Sequence, residues 1–161
     1  MEMTQKLSDK QIHEIAVAID TNSVCYINSE TGEYILMMSD EDLDDYGMSW
    51  DDKDGPNNSW PDWQKEMYTD IKADMAKINS WKDVIQIEKP PPRESFEFME
   101  CFVAETIPAG ILKERFWNAL SRSHPFSNFN AIVHNCAYRE AWFAFKQKAL
   151  EEYVRDRLRE G

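Results

Sequence analysis

The sequence predicts an α+β fold: a small antiparallel sheet, made of a hairpin plus a third short strand, with a predominantly helical C-terminal half. Two β-rich runs at 24–27 and 34–38 flank a polar segment that contains Gly32, a composition typical of a hairpin. A third β-rich run lies at 84–87. From residue 94 onwards, apolar residues recur at the spacing of amphipathic helices.

A single domain over residues 1–161 is the expected organisation, because a chain of this length can bury a core of its own. Three successive prolines, 90–92, form a stiff segment, and the charge balance changes nearby. We therefore also consider a division into an acidic N-terminal half that carries the hairpin, 1–89, and a helical half, 90–161.

The first predicted element is a helix that begins after Ser8. Ser8 and Gln11 have the spacing of a capping box, in which each side chain accepts a hydrogen bond from the other residue's backbone N–H. The apolar stripe of this helix consists of Ile12, Ile15, Ala16 and Ile19. In the hairpin that follows, the second strand (34–38) is apolar on both faces, which predicts a central position in the sheet.

Residues 39–59 form a polar connector with eight acidic residues and one lysine. Repulsion among like charges at this density predicts an extended or mobile segment, anchored locally by Leu43, Met48 and Trp50. Carboxylates are also the ligands that Ca²⁺ and Mg²⁺ prefer, but the spacing of glycines and acids in this connector does not fit an EF-hand.

A second helix is predicted after the connector, opened by Pro61 and capped by Ser59 or Asn58. Its apolar positions at helical spacing are Trp63, Met67, Ile71, Met75 and Ile78. Carboxylates recur at every fourth position and form an acidic ridge that consists of Asp62, Glu66, Asp70 and Asp74. Such a ridge is typical of a solvated helix face, and it also has the regular negative charge of a phosphate backbone.

Four helices are predicted in the C-terminal half, over 94–107, over 111–120, from 125 onwards and over 138–159. Their aromatic residues are expected to form a core, with the alternative that some line a ligand pocket: Phe96, Phe126, Phe129, Trp142 and Phe145. Phe143 lies on a second apolar stripe of the last helix.

The charge of the chain is strongly uneven. Residues 1–80 contain 18 acidic and 6 basic side chains, whereas residues 81–161 contain 12 of each. The net charge of −12 therefore belongs to the first half, which either solvates itself or meets a cationic partner. Nucleic acid is not an expected partner for so acidic a protein, because phosphates repel carboxylates.

A cytoplasmic location is the expectation. The first residues lack the apolar core of a signal peptide, and no apolar run approaches the length of a membrane span. Three scattered cysteines, Cys25, Cys101 and Cys136, form no CxxC pair and are an odd number, which is typical of reduced thiols.

The first functional hypothesis is a non-enzymatic interaction or regulatory protein that docks on a basic protein surface through its acidic half. The candidate partner-binding residues are Asp40, Glu41, Asp42, Asp44 and Asp45 of the connector, with Asp62, Glu66, Asp70 and Asp74 of the acidic ridge. No catalytic residue, metal ligand or cofactor is assigned, because phosphate loops, nucleophile elbows and zinc-protease motifs are absent from the sequence.

The second hypothesis is a small-ligand or metal-dependent protein, with a hydrolase as one form, whose site lies among the C-terminal helices. Arg93, His124 and Arg139 are the candidate ligand-binding residues, since two arginines suit an anionic ligand. His124, His134 and Cys136 also suggest zinc or a thiolate nucleophile, but their spacing is wide for zinc and a fourth ligand is not evident.

Four segments occur in the order YINSETGE (26–33), VIQIEKPPPRESFEFME (84–100), FSNF (126–129) and REAWFAF (139–145). In these segments the chain resembles the bacterial uncharacterised protein family 0158 of the UPF series. The resemblance implies a bacterial source and an α+β domain, and it implies no activity. Around FSNF the family pattern is basic and glycine-containing, whereas residues 121–130 here hold one arginine and no glycine, which argues against an anion site there.

Overall fold

The structure is a computed structural model that describes residues 6–51 and 55–160. The chain divides into two compact units: an acidic unit of residues 1–89 with 154–161, and a helical unit of residues 90–153. The acidic unit contains α1 (Asp9–Asp20), β1 (Ser23–Asn28), β2 (Tyr34–Met38), α2 (Asp40–Asp45), α3 (Asp62–Ser80) and β3 (Val84–Ile87). The helical unit contains α4 (Pro92–Thr106), α5 (Ile111–Ser121), α6 (Pro125–Val133) and most of α7 (Arg139–Glu160). The predicted α+β class is confirmed.

The sheet has the strand order β2–β1–β3, and both pairs are antiparallel. The predicted central position of β2 is therefore wrong, since β1 is central and β2 lies at an edge. α2 and α3 contact β2 on the face that carries the buried Met37. On the opposite face, Tyr34 donates a hydrogen bond to Glu14 of α1, but Leu36 is 40% exposed. The apolar composition of β2 therefore does not identify it as the central strand.

The predicted capping box of α1 is confirmed. The Gln11 backbone N–H donates to Ser8 Oγ at 3.1 Å, and the Ser8 backbone N–H donates to Gln11 Oε1 at 2.9 Å. The four predicted stripe residues are all buried: Ile12, Ile15, Ala16 and Ile19.

The connector is more ordered than its charge predicts. Ser39 caps α2, whose first turn holds three acidic residues, where carboxylates interact favourably with the unpaired backbone N–H groups. At the other end, Gly47 has a φ of +73°, and Met48 N–H donates to Leu43 O at 2.9 Å in a Schellman motif. Leu43 and Met48 are buried and Trp50 packs against the core, so the predicted anchoring is confirmed. The expectation of an extended chain is wrong for Asp40–Asp45, which is helical, and residues 52–54 lie outside the described residues.

Two details of α3 also differ from the prediction. The residue before the helix is Pro61, which makes no capping hydrogen bond, so the predicted caps Ser59 and Asn58 are wrong. The Ser59 N–H instead donates to Asn57 Oδ1 in a local turn. Trp63 is 57% exposed, with its ring 6.3 Å from that of Tyr46, whereas Tyr68 is buried. The core therefore follows the stripe that contains Tyr68, Ile71 and Met75.

The core of the acidic unit lies between α3 and one face of the sheet. Strand register places Val24 and Tyr26 of β1 on that face with Met37 of β2, and these residues pack with Met75 and Ile78 of α3. Cys25 and Ile27 alternate to the opposite face, toward α1. Burial raises the pKa of the Cys25 thiol to about 12, so this sulfur stays protonated at neutral pH.

The core of the helical unit is an aromatic cluster. Phe129 of α6 is fully buried, with its ring centroid 4.8 Å from Trp142 and 5.2 Å from Phe116. Phe102 is also fully buried, 5.2 Å from Trp142. Of the predicted aromatic set, Phe129 and Trp142 are buried, and Phe96 and Phe145 are half-buried against this cluster. Phe126, from the same set, and Phe143 are 39% and 38% exposed.

We expect Phe129→Ala to lower the free energy of unfolding by about 3–5 kcal/mol, because it leaves a cavity among three aromatic rings. The matched control is Phe126→Ala on the same helix, whose side chain is 39% exposed and whose loss should cost less than about 1.5 kcal/mol. Urea unfolding followed by circular dichroism measures both. Equal losses for the two variants would contradict this account of the core.

Candidate functional site

The candidate site is a groove on the face of the sheet that carries Tyr26. Antiparallel register sets Tyr26 of β1 directly beside Gln86 of β3, so both side chains lie on this face. The start of α2 is held close to the start of β1, because Asn22 Nδ2 donates to Ser39 Oγ at 3.2 Å. This contact brings Asp40, the first residue of α2, to the groove.

Two adjoining cavities make up the groove. The first, here called the carboxylate cavity, has a volume of about 290 Å³ and is lined by Asp40, Glu41, Glu88, Lys89 and neighbouring polar residues. The second, here called the aromatic cavity, has a volume of about 480 Å³ and is lined by Trp50, Trp81, Asn79 and neighbouring apolar residues. Tyr26, Asp40 and Gln86 line both cavities and form their shared wall.

The aromatic cavity is bounded by three rings that are also packed against the core of the acidic unit. Tyr26 and Trp50 have ring centroids 5.3 Å apart at an interplanar angle of 56°. Trp50 and Trp81 are half-buried against the core cluster, so their positions are set by packing. The sequence pattern indicates Trp50 as a local anchor but gives no signal for Trp81 or Tyr26, because these three residues are brought together only by the fold.

Tyr26 combines a buried ring with an unpaired hydroxyl. Its side chain is 9% exposed, and its hydroxyl makes no hydrogen bond to the described residues. Burial raises the pKa of Tyr26, and the negative charges of Asp40 and Glu88 raise it further. The phenol therefore stays protonated at neutral pH and can donate or accept a hydrogen bond, but it does not act as a general base.

The carboxylates of the groove are not neutralised by ion pairs. Within residues 6–51 and 55–160, Asp40, Glu41 and Glu88 form no salt bridge. Lys89 lines the carboxylate cavity, which thus holds three acidic side chains and one basic side chain. The groove keeps an excess of negative charge that a cationic group can occupy.

The other predicted partner-binding acids lie outside these two cavities. Asp42, Asp44 and Asp45 belong to α2 but line neither cavity. The acidic ridge runs along α3 and is mostly exposed. Of the nine predicted acids, the groove thus brings together Asp40 and Glu41, and it adds Glu88.

The three candidate ligand-binding residues of the helical unit have separate surroundings. Arg93 is 91% exposed in its side chain, with its Nε 3.9 Å from Glu97. His124 precedes α6 in a left-handed conformation, and the guanidinium of Arg139 lies over the ring of Phe143 at 5.3 Å. None of the three lines the cavity of about 290 Å³ that this unit forms between α5 and α6.

That cavity contains a different arginine pair. It is lined by Arg115 and Arg122, with Asn118 and Asn128 among its other residues. Asn128 Nδ2 donates to the carbonyl of Ser123 at 2.9 Å, so its side chain is committed to the turn before α6. The two arginines are seven residues apart, two helical turns, and this spacing was the signal available in the sequence.

In the described part of the chain, no three His, Cys, Asp or Glu side chains are grouped as a metal site would require. His134 packs against Phe143 with ring centroids 5.7 Å apart, and Cys136 Sγ lies 3.5 Å from the carbonyl of Val133. Over the same residues, no helix combines the length and the apolar character that a membrane span needs.

No protein-family model, curated protein or solved structure matches this chain. The resemblance carried by the four sequence segments stays a prediction.

We expect Asp40→Asn to lower the pKa of Tyr26 and to leave that of Tyr34 unchanged, because Asp40 repels only the Tyr26 phenolate. The control variant is Glu14→Gln. It should lower the pKa of Tyr34 from about 12, because Glu14 accepts the hydrogen bond of the Tyr34 hydroxyl, and it should leave the pKa of Tyr26 unchanged. Titration of ¹³Cζ tyrosine resonances measures both values.

Because the pKa of Tyr26 is raised in the folded state, protonation of this phenol contributes to the free energy of unfolding. That contribution is fully present below the ordinary tyrosine pKa of about 10 and is lost as the pH rises through the pKa of the folded state. An unchanged Tyr26 titration in Asp40→Asn would mean that the two groups are not neighbours.

Proposed function

We propose that this chain is a non-enzymatic binding protein whose acidic unit docks a basic segment of a protein partner in the groove. The observation that carries the proposal is the convergence of Asp40, Glu41 and Glu88 on one groove without ion pairs. Carboxylates left in this state favour a ligand that brings its own cations.

The charge of the whole unit supports the same proposal. All of the net charge of −12 lies in residues 1–80, and such a field steers basic partners toward the protein over distances of about a Debye length. The groove then supplies positions at which cationic groups meet carboxylates. We expect association to be fast and strongly dependent on salt, and nucleic acid to be repelled.

A cytoplasmic location is part of this proposal. Three free cysteines, one of them exposed, suit a reducing compartment.

The test compares two variants that remove the same charge. One neutralises the groove (Asp40→Asn, Glu41→Gln, Glu88→Gln), and the matched control neutralises three residues of the acidic ridge (Asp62→Asn, Glu66→Gln, Asp70→Asn). The probe is a fluorescein-labelled, 12-residue Gly/Ser peptide with four arginines, and anisotropy at 20 mM and 200 mM NaCl gives Kd.

We expect the groove variant to weaken binding by about tenfold or more at 200 mM NaCl, and the ridge variant by less than about threefold, because screening removes remote charges first. Circular dichroism of both variants confirms that they are folded. Equal weakening by the two variants, or unchanged binding by the groove variant, would remove the basis of the proposal.

A further inference from the structure

We infer that the aromatic cavity is a socket for the side chain of one arginine in the docked segment, a conclusion that rests on the proposed function. The cavity has three features that point to a planar cation: aromatic rings, an uncompensated carboxylate and several hydrogen-bond acceptors. Among the residues that the structure describes, no basic residue lines this cavity, unlike the carboxylate cavity next to it.

The aromatic rings that line the cavity are those of Tyr26, Trp50 and Trp81. Aromatic faces attract a cation, most strongly those of Trp, and a guanidinium also stacks on them as a flat group. Because Trp50 and Trp81 pack against the core, the cavity is formed before a ligand arrives, which lowers the entropy lost on binding.

The hydroxyl of Tyr26 is the second, independent indication of a ligand. The residue is more than nine-tenths buried, yet its hydroxyl has no hydrogen-bond partner among the described residues. No fully enclosed side-chain oxygen or nitrogen in that part of the chain lacks a partner, so this hydroxyl is accessible to solvent, and Tyr26 lines both cavities. An N–H donor of a ligand would satisfy it.

The acceptors favour arginine over other cations. Asp40 offers carboxylate oxygens, Asn79 and Gln86 offer amide oxygens, and Tyr26 offers its hydroxyl oxygen. A guanidinium has five N–H donors in one plane and can meet several of these acceptors at once. A lysine ammonium has three donors, and a trimethylated lysine has none, so it would leave Asp40 and Tyr26 without hydrogen bonds.

The shared wall of the two cavities fixes where the rest of the segment goes. Tyr26, Asp40 and Gln86 line both, so a chain that places an arginine in the aromatic cavity continues past Asp40 into the carboxylate cavity. Flanking basic residues then meet Glu41 and Glu88. The aromatic cavity supplies selectivity, and the carboxylate cavity supplies most of the dependence on salt.

The experiment uses the full-length protein and four labelled peptides that share flanking lysines and differ at one central residue. That residue is arginine, lysine, trimethyllysine or citrulline, the last being an uncharged analogue of arginine. Anisotropy gives Kd for each peptide. Indole N–H signals in ¹H–¹⁵N spectra show whether Trp50 and Trp81 respond while the other tryptophans do not.

We expect the arginine peptide to bind at least about fivefold more tightly than the lysine and trimethyllysine peptides, and citrulline to bind weakest. Trp81→Leu should remove the preference for arginine but keep salt-dependent binding, whereas Trp63→Leu, at an exposed position outside the cavity, should change neither. Tyr26→Phe removes only the hydroxyl and should reduce the preference for arginine in part. It provides a second test of the socket in case Trp81→Leu fails to fold.

The outcomes separate the two proposals. If all four peptides bind equally and the groove triple variant still weakens binding, the arginine socket is wrong and the docking function stands. Tightest binding of trimethyllysine would overturn the assignment in favour of a methyl-ammonium cage. If no peptide binds at 20 mM NaCl, the docking function and the socket both fail.

Discussion

The enclosure of β1 on both faces determines where the other parts of the acidic unit lie. Its residues from Val24 to Asn28 are all buried, with Cys25 and Ile27 facing α1 and Val24 and Tyr26 facing α3. Because this strand pairs on both sides, its backbone also fixes β2 and β3. The groove depends on the same strand, since Tyr26 is at once a core residue and the wall between the two cavities.

The elements that were predicted correctly are those in which local chemistry decides the structure. The capping box of Ser8 and Gln11 and the strand at 84–87 needed no knowledge of the rest of the fold. The position of β2 was missed because apolar composition reports burial and not neighbours. Trp63 fitted the helical period but lies beyond the surface that α3 buries, so the period alone placed it wrongly.

In the candidate site too, residues with a local sequence signal were predicted and residues brought together by the fold were not. Asp40 and Glu41 stood out in the sequence because the connector is so acidic. Tyr26, Trp81 and Gln86 could not be found in this way, because strand register and the end of α3 bring them together. The connector itself was expected to be extended from its charge, yet three of its acids occupy the first turn of α2, where the backbone N–H groups offset their repulsion.

Asp40 thus contributes both to the stability of α2 and to the lining of the groove. As the first residue of α2 it benefits from the helix terminus, and as a lining residue of both cavities it faces Tyr26. A carboxylate that already contributes to folding is held in place before any ligand arrives. This is a physical reason for the acidic groove to coincide with the start of a short helix.

The apolar edge strand β2 gives the negative charge a further consequence. Leu36 on this strand is 40% exposed, and none of the described strands pairs with the outer edge of β2. Exposed apolar edges invite pairing between copies of the same chain. Repulsion between like-charged molecules opposes such pairing, so the negative charge of residues 1–80 also keeps copies of the chain apart. This repulsion weakens as the pH approaches the pI of about 4.6, where the net charge is zero.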